Sequence, residues 1–325
     1  MPAYRGGMTR TLLITNNGPQ LVDTAAEHAG EGDTLINITH SSVNYKDGMA
    51  LAGSKGVVRT LPLVPGIDAV GRVVTSPKFE PGTLVTVNGH GIGERRNGGY
   101  TPQMKIDAEY VTCVPERFDE WTAAAIGTAG YTAALCILAL HDVGKAGPVL
   151  VTGATGGVGS IAVQLLAAQG IEVVAASGRI DDHKDWLKEL GASDVIDRAD
   201  FEEAGKPLQK ARFAGAVDTL GSTPLANVLS QITWGGTVAA CGLAAGADLP
   251  ASVLPFILRG VNLAGVNSVD APVELRDQAW NLLAAHLDVD KLTSSTATVD
   301  VAGAIEVGAN LLAGTGRGRV VVQVE

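Results

Sequence analysis

A glycine-rich segment at 152–159 has residue types typical of a phosphate-binding turn. It follows the apolar run 149–152 and opens a helical pattern at 158–168, and this strand–turn–helix context raises a glycine motif above chance. Glycines there let the backbone approach a pyrophosphate, and the helix N-terminus supplies free N–H groups and positive partial charge. The alternative is a glycine turn without a ligand. The predicted dinucleotide contacts are Gly153, Thr155, Gly156, Gly157, Val158 and Gly159.

The end of the next predicted strand decides which dinucleotide is bound. An NAD-specific site carries an acid there that binds the ribose 2′-hydroxyl, whereas this chain has Ser177, Gly178 and Arg179. A serine hydroxyl and an arginine can both bind a 2′-phosphate, so the segment predicts NADPH as the cofactor. Asp181 and Asp182 follow and could supply the missing acid, although they come late for that role. A solvated surface arginine is the alternative for Arg179.

Alternating strands and helices must position these segments. Six apolar runs predict strands at 149–152, 172–176, 194–196, 214–218, 237–241 and 261–266, with helices at 158–168, 183–190 and 224–232 among them. Strand–helix alternation with apolar strands predicts an α/β fold with a doubly wound parallel sheet of the Rossmann type. The apolar stretch 121–140 predicts a buried pair of helices separated by residues 127–130.

The first part of the chain has a different pattern. Short β-like runs separated by Pro and Gly turns predict a β-rich domain with one short helix near 44–51. After the sixth strand, two helical patterns and a last strand at 319–324 predict a return to that first domain. The expected boundaries are a first domain at 1–121, a Rossmann domain at 122–267 and the return at 268–325.

The composition limits the partners. The chain has 325 residues, with 24 Lys and Arg against 34 Asp and Glu, and its net charge of −10 argues against nucleic acid. Cys113, Cys136 and Cys241 fit neither a disulfide framework nor a zinc cluster. They indicate a reducing compartment, and the first ten residues lack the apolar core of a signal peptide. We therefore expect a cytoplasmic protein without a membrane span.

Several segments together resemble the medium-chain dehydrogenase/reductase superfamily from end to end. The match is nearest to its zinc-free, quinone-oxidoreductase-like branch, which contains the acrylyl-CoA reductases. The glycine turn alone is generic, whereas the segments 44–47 (Asn-Tyr-Lys-Asp) and 177–179 (Ser-Gly-Arg) are far more specific. Further matching segments are 64–68, 127–133, 240–243 and 255–259.

The resemblance implies a discontinuous, GroES-like catalytic domain, a Rossmann domain between its two parts, a cofactor in the cleft between the domains and a homodimer. It also implies cofactor contacts at Tyr45, Thr128, Ser177, Gly178, Arg179, Leu243, Ile257 and Ser268. Zinc-dependent relatives carry a cysteine ligand and a Gly-His-Glu segment, where this chain has Pro-Gly-Ile-Asp at 65–68. His90 alone cannot make a catalytic zinc site, which needs about three protein ligands, so we expect no metal.

The implied activity is the metal-free, NADPH-dependent reduction of an activated C=C bond, with acrylyl-CoA giving propanoyl-CoA. Hydride arriving at the terminal carbon would develop charge on the thioester oxygen, and donors aimed at that oxygen would stabilise the enolate. The adjacent carbon would then take a proton. Asn44 and Tyr45 are the expected donors, with Asp47 orienting Lys46 or Tyr45. Tyr45 could instead only pack against the nicotinamide.

A CoA thioester also needs cations for its phosphates. The expected substrate contacts are Arg59, Arg95, Arg96, Arg317 and Arg319, each of which could equally be a solvated loop residue. Two other functions stay open. One is an NADPH:quinone reductase with the same fold and cofactor, and the other is a non-catalytic NADPH-binding protein with a structural or sensing role.

Overall fold

The computed structural model of the protein describes residues 10–141 and 146–324. Up to residue 140 the elements are β1 (Arg10–Thr15), β2 (Gly18–Asp23), β3 (Thr34–Ser42), α1 (Tyr45–Leu51), β4 (Asp68–Thr75), β5 (Leu84–Asn88), β6 (Gln103–Ile106), β7 (Thr112–Cys113) and α2 (Glu120–Leu140). The middle of the chain contains β8 (Val149–Val151), α3 (Gly157–Ala168), β9 (Val173–Ser177), α4 (Ile180–Leu190), β10 (Asp194–Asp197), β11 (Phe213–Asp218), α5 (Ser222–Ser230), β12 (Ile232–Ala240), α6 (Leu254–Arg259) and β13 (Asn262–Gly265). The last elements are α7 (Val273–His286), α8 (Val289–Ser294), β14 (Thr296–Asp300), α9 (Ala304–Leu312) and β15 (Arg319–Gln323).

The described residues form two compact units. The first unit contains the chain up to Thr128 and again from Ser295 onward, and the second unit is Ala129–Ser294. These limits differ from the predicted ones, because residues 268–294 belong to the second unit, where α7 contacts α3. The chain returns to the first unit only at Ser295, with β14.

The second unit is built on a six-stranded sheet with the order β10-β9-β8-β11-β12-β13. All of its neighbouring strands are parallel. Strands β8, β9 and β11 are buried along their whole length, which is why they form continuous apolar runs in the sequence. The strand order reverses at β8, as in a doubly wound Rossmann sheet, so the predicted fold class is confirmed.

The first unit contains a seven-stranded sheet with the order β14-β15-β3-β4-β5-β7, and β6 also pairs with β3. Strands β3 and β15 are antiparallel with Val321 opposite Ser42, and β3 and β4 are antiparallel with His40 opposite Val70. This register brings the end of β3 next to the first residues of β4 and β15. Those first residues are Asp68 and Arg319, so the sheet itself places two opposite charges side by side.

Five elements are not predicted by the sequence pattern, namely β2, β6, β14, α6 and α8. Each has only four to six residues, which is too short to show a clear periodicity. Helix α4 also begins at Ile180, three residues before the predicted start, so Asp181 and Asp182 lie in its first turn.

Helix α2 is bent at Gly127, whose φ of 47° and ψ of −159° are not helical. A Cβ at this position would lie 2.6 Å from Asp68 Oδ2, so both the backbone and the space require glycine. The segment is thus two helices that meet at the kink at Gly127, as the sequence predicted. By length and composition α2 could cross a membrane, but 83% of its most apolar window is buried in the protein, and buried core helices pass the same test.

Candidate active site

The glycine turn lies between β8 and α3, at the carboxyl edge of the parallel sheet. Gly153 has a φ of +57°, and a Cβ there would lie 2.2 Å from Thr219 Oγ1. A Cβ on Gly159 would lie 2.4 Å from the carbonyl oxygen of Gly153, so both positions require glycine. Gly156 is exposed and is the N-cap residue of α3. Because the first N–H groups of a helix have no partner within it, this turn presents donors suited to a phosphate.

Buried Asp218, at the end of β11, fixes the neighbouring turn. Its carboxylate accepts hydrogen bonds from Thr152 Oγ1 at 2.9 Å and from the N–H groups of Leu220 at 3.2 Å and Gly221 at 2.8 Å. Thr152 Oγ1 in turn accepts the N–H of Thr219 at 3.0 Å. Burial raises the pKa of Asp218, and these hydrogen bonds oppose the shift. The contacts join the ends of β8 and β11 and hold the glycine turn in place.

The predicted 2′-phosphate segment lies at the end of β9. Ser177 is buried, and its Oγ accepts the backbone N–H of Arg179 at 3.1 Å. A hydroxyl that accepts such a bond can still donate its own hydrogen to a phosphate. Arg179 is the N-cap residue of α4, and Gly178 before it is exposed.

Arg198 is a second cation at this segment, and sequence reasoning missed it. Strand β10 pairs with β9 so that Asp197 lies opposite Ser177, and Arg198 comes directly after that pair. A Cβ on Gly178 would lie 3.2 Å from the guanidinium carbon of Arg198, whose Nε is also 2.7 Å from Glu202 Oε1. A prediction of the strand order could have identified Arg198, because the pairing of β9 with β10 brings residue 198 next to residue 178.

The acids that follow the segment have a structural explanation. Asp181 and Asp182 are exposed in the first turn of α4. Negative side chains at that position are stabilised by the positive end of the helix dipole. Their presence therefore does not require an NAD ribose as a partner.

The other predicted cofactor contacts of the second unit lie at its surface. Leu243 and Ile257 are 60% and 68% exposed, which leaves both accessible to a ligand. Ser268 belongs to a segment whose backbone is held by Arg276, which donates to the carbonyl oxygens of Ser268 at 3.1 Å and Val269 at 2.8 Å. Their cofactor contacts stay predictions.

A buried polar cluster in the first unit surrounds Asp68. Oδ1 of Asp68 accepts Asn88 Nδ2 at 2.6 Å, the N–H of Thr128 at 2.9 Å and the Thr128 hydroxyl at 2.6 Å. Oδ2 accepts Asn44 Nδ2 at 2.8 Å and the hydroxyl of Ser42. Both oxygens only accept, which is the arrangement expected for an ionised carboxylate.

Arg319 is the cation of this cluster, which corrects its predicted role in substrate binding. Its guanidinium donates to Ala125 O at 2.8 Å, Ser42 Oγ at 2.8 Å and Asn44 Oδ1 at 3.2 Å. Nη2 also lies 4.0 Å from Asp68 Oδ2. Because the side chain is only 3% exposed, it is not available to a CoA phosphate.

Asn44 is engaged within the protein as well, which corrects the prediction that its amide stabilises an enolate. Its nitrogen donates to Asp68 Oδ2 at 2.8 Å and to Asp47 Oδ2 and Ser42 Oγ at 3.2 Å each, while its oxygen accepts from Arg319. An amide nitrogen has two hydrogens, so these internal partners use both. Asn44 is the N-cap residue of α1 and fixes where that helix begins.

Asp47 fixes the backbone, whereas the sequence predicted that it orients a side chain. Its oxygens accept the N–H groups of Asn44 at 2.8 Å and Ile67 at 2.9 Å. Lys46, one of its predicted partners, pairs instead with Glu94 at 2.9 Å. Burial raises the pKa of Asp47 to about 7.

Tyr45 keeps an exposed side chain, at 46% of its full surface, although its backbone is held firmly. It is the first residue of α1 and follows the N-cap Asn44. Helix α1 packs so closely on α9 that a Cβ on Gly48 would lie 2.6 Å from Gly308 O. The structure thus fixes the start of α1 and leaves the phenol accessible. A contact of Tyr45 with cofactor or substrate stays a prediction.

Three of the arginines predicted to bind substrate lie on the surface of the first unit. Arg59 and Arg95 are exposed, and the N–H of Arg59 donates to Glu94 O at 2.9 Å, which brings their two loops together. Arg317 is exposed in the turn before β15. All three are accessible to a ligand, but no contact with CoA follows from exposure alone.

The donor set of the first unit does not fit a zinc ion. Among residues 10–141 and 146–324, no group of three or more His, Cys, Asp or Glu side chains could hold a metal ion. The oxygens of Asp68 are already occupied by hydrogen-bond donors, and His90 stacks on Tyr110 with ring centroids 4.4 Å apart.

Arg96, a further arginine predicted to bind substrate, is held by the loop of His90. Its Nη1 donates to the carbonyl oxygen of His90 at 2.8 Å.

Comparisons with known proteins agree with this architecture. The Alcohol dehydrogenase GroES-like domain family matches residues 30–144, and the Zinc-binding dehydrogenase family matches residues 157–285. Acrylyl-CoA reductase AcuI of Ruegeria pomeroyi and the probable acrylyl-CoA reductase AcuI of Escherichia coli are each 44% identical to the chain. Both alignments cover 90% of this chain, and they cover 90% and 92% of those proteins respectively.

Solved structures lead to the same family. Escherichia coli YhdH, crystallised with NADPH, is 42% identical and has a TM-score of 0.92 over 97% of this chain and 100% of its own. Bacillus subtilis YhfP, crystallised with NAD, is 37% identical and has a TM-score of 0.91 over 97% of this chain and 98% of its own. The protein belongs to the medium-chain dehydrogenase/reductase superfamily, in the branch that contains the AcuI acrylyl-CoA reductases.

Proposed function

We propose that this protein is an NADPH-dependent reductase of an activated C=C bond, and that it reduces acrylyl-CoA to propanoyl-CoA. The observation that carries the proposal is the 44% identity, over 90% of the chain, to two proteins named as acrylyl-CoA reductases. A quinone reductase has less support, because YhfP of Bacillus subtilis, which is named a putative quinone oxidoreductase, is less similar to the chain, at 39% identity.

The second unit supports NADPH as the cofactor. The N-terminus of α3 at Gly156 suits the pyrophosphate, while Ser177, Arg179 and Arg198 suit a 2′-phosphate. Two guanidinium groups and a hydroxyl offer several charge-assisted hydrogen bonds to a dianion. A bound NADPH would supply the hydride, and the protein would bind and orient it.

Tyr45 is the catalytic donor in this proposal. Reduction of a C=C bond conjugated to a thioester places negative charge on the thioester oxygen, and a fixed donor aimed at that oxygen stabilises the charge. The phenol of Tyr45 is exposed, while the N-cap Asn44 fixes the backbone from which it extends. The fixed backbone limits where the phenol can reach, and its exposure leaves the hydroxyl accessible to a substrate.

Exposed arginines of the first unit would bind the phosphates of CoA. Arg59 and Arg95 lie on adjacent loops, joined by the hydrogen bond from Arg59 N to Glu94 O at 2.9 Å. Arg317 is exposed on another turn of the same unit. In a chain with a net charge of −10, such local cations are what an anionic substrate requires.

We further propose that the enzyme works without a metal, in the cytoplasm, as a homodimer. The saturated hydrogen bonding of Asp68 supports the first point. The second is supported by the three cysteines, none of which forms a disulfide within the described residues. Strand β13 is last in its sheet, and Leu263 on it is 36% exposed, so it offers an edge for a second copy. Elemental analysis and light scattering test these points: one essential zinc per chain, or a monomer, would contradict them.

The test of the main proposal is NADPH oxidation followed by absorbance with acrylyl-CoA, crotonyl-CoA and a small quinone. We expect the highest kcat/KM with acrylyl-CoA. A higher value with the quinone would make the protein a quinone reductase. Binding of NADPH without reduction of any acceptor would favour the non-catalytic alternative.

A further inference from the structure

Two segments that the sequence predicts to contact cofactor or substrate, at Tyr45 and Thr128, are held by one buried side chain. Thr128 donates its backbone N–H at 2.9 Å and its hydroxyl at 2.6 Å to Asp68 Oδ1. Tyr45 directly follows Asn44, whose amide donates to Asp68 Oδ2 at 2.8 Å. The two oxygens of Asp68 therefore hold one segment each.

We infer that Asp68 is a positioning residue of the reduction site, which it serves through Asn44 and Thr128; this assignment rests on the proposed function. Asp68 is fully buried, so it acts through its neighbours. Each of its oxygens faces at least two donors. A neutral amide in its place would turn an NH2 group toward one of these two sets and release the segment that the set holds.

Arg319 completes the arrangement from the neighbouring strand. It donates to Asn44 Oδ1 at 3.2 Å and to Ala125 O at 2.8 Å, so it ties the start of α1 to the turn of α2 just before its bend. Removing the charged partner of a buried carboxylate leaves an uncompensated charge, which is strongly destabilising. Arg319 therefore supplies the positive charge beside Asp68, 4.0 Å from Oδ2.

Two adjacent serines provide a matched test of this role. The hydroxyl of Ser42 donates to the carboxylate of Asp68, whereas the hydroxyl of Ser41 donates to the backbone carbonyl of Asp68 at 2.6 Å. Both serines are fully buried. Each serine-to-alanine change thus removes one buried hydrogen bond to Asp68. Only Ser42→Ala removes it from the carboxylate, and it also removes the acceptor that Asn44 and Arg319 share in the same cluster.

The experiment compares the wild-type protein with Asp68→Asn, Ser42→Ala and Ser41→Ala. For each we would measure the dissociation constant of NADPH by fluorescence, the single-turnover rate with acrylyl-CoA and the midpoint of thermal unfolding. For Asp68→Asn we expect NADPH to bind about 10-fold more weakly or worse, and the rate to fall by a similar factor, as for loss of charge-assisted hydrogen bonds. Ser42→Ala should change both by about 2- to 10-fold.

Ser41→Ala is the structural control. It should lower the unfolding midpoint while leaving NADPH affinity and rate within about twofold of wild type, since the carboxylate keeps its partners. Folded Asp68→Asn with affinity and rate both close to wild type would overturn the inference. If Asp68→Asn does not fold, equal effects of the two serine variants on NADPH affinity would overturn it.

The two proposals fail in different ways. A wild-type protein that binds NADPH but does not reduce acrylyl-CoA would overturn the proposed substrate. The NADPH affinities of the four proteins would still decide whether Asp68 positions the site.

Discussion

Asp47 and Asp68 are two fully buried carboxyl groups that share one amide: Asn44 Nδ2 lies 3.2 Å from Asp47 Oδ2 and 2.8 Å from Asp68 Oδ2. Asp68 has Arg319 beside it, at 4.0 Å, whereas Asp47 is bound mainly by backbone N–H groups. Burial raises the pKa of Asp47 to about 7, and the negative charge of Asp68 adds to the shift. Asp47 therefore gains or loses a proton near neutral pH.

The stability of the protein should depend on the protonation of Asp47. Its pKa is higher in the folded state, so its contribution to stability is fully present below the unfolded pKa of 3.8 and is lost as the pH rises through about 7. We expect wild-type protein to lose about 2–3 kcal/mol between pH 5 and pH 8 relative to Asp47→Asn, which has no proton to lose. Urea unfolding of both proteins at the two pH values measures this difference. Parallel losses in the two proteins would show that Asp47 does not titrate in this range.

Substitution of Tyr45 by phenylalanine removes the proposed donor and keeps the ring. If the hydroxyl stabilises charge on the thioester oxygen, kcat and kcat/KM should fall together, on the order of 10²- to 10³-fold. Tyr110→Phe is the matched control, because that tyrosine stacks on His90 and has no proposed role in the reaction. An unchanged kcat in Tyr45→Phe would leave Tyr45 as a packing residue.

The sequence predicted those parts of the site that depend on local pattern. The strand–turn–helix unit around Gly153 and the segment at Ser177 follow from neighbours in the chain, and the structure has both at the carboxyl edge of the sheet. Arg198 could not be found in this way, because it reaches Gly178 only through the pairing of β9 with β10. Its role is a consequence of strand order.

The errors in the first unit have the same origin. Arg319 and Asn44 are polar residues in loops or at strand ends, where exposure is the usual expectation. The antiparallel pairing of β3 with β15 and β4 instead encloses them with Asp68, which lies far away in sequence. A buried charged residue of this kind cannot be recognised until its partner is known, which is why the sequence alone predicts ligand contacts for both residues.

Cofactor preference should depend on the two arginines at the ends of β9 and β10. A charge-assisted hydrogen bond contributes roughly 1.5–3 kcal/mol, so Arg179→Ala or Arg198→Ala should raise KM for NADPH about 10- to 150-fold. NADH kinetics should stay nearly unchanged, since that cofactor lacks the 2′-phosphate. Arg212→Ala is the control. Arg212 directly precedes β11 and therefore lies at the amino ends of the parallel strands, away from the carboxyl ends where Arg179 and Arg198 lie, and its guanidinium stacks on Phe213 at 4.8 Å. A 2′-phosphate site at the ends of β9 and β10 would be contradicted by wild-type protein that used NADH as well as NADPH. It would also be contradicted by arginine variants that were impaired equally with NADH and with NADPH.

The phosphates of CoA should be recognised by Arg59 and Arg95, which can be tested with a substrate that lacks those phosphates. The double variant Arg59→Ala/Arg95→Ala should raise KM for acrylyl-CoA by about 3- to 30-fold, because exposed ion pairs are partly screened by solvent. KM for the acrylyl thioester of pantetheine, which has no phosphate, should not change. Added salt should raise the wild-type KM for acrylyl-CoA and have little effect on the pantetheine thioester. Arg72→Ala is the matched control, since Arg72 is an exposed arginine of the same unit that pairs with Glu120 at 2.6 Å. If the double variant weakened both thioesters equally, these arginines would act on the shape of their loops, and the phosphate site would have to be sought near Arg317.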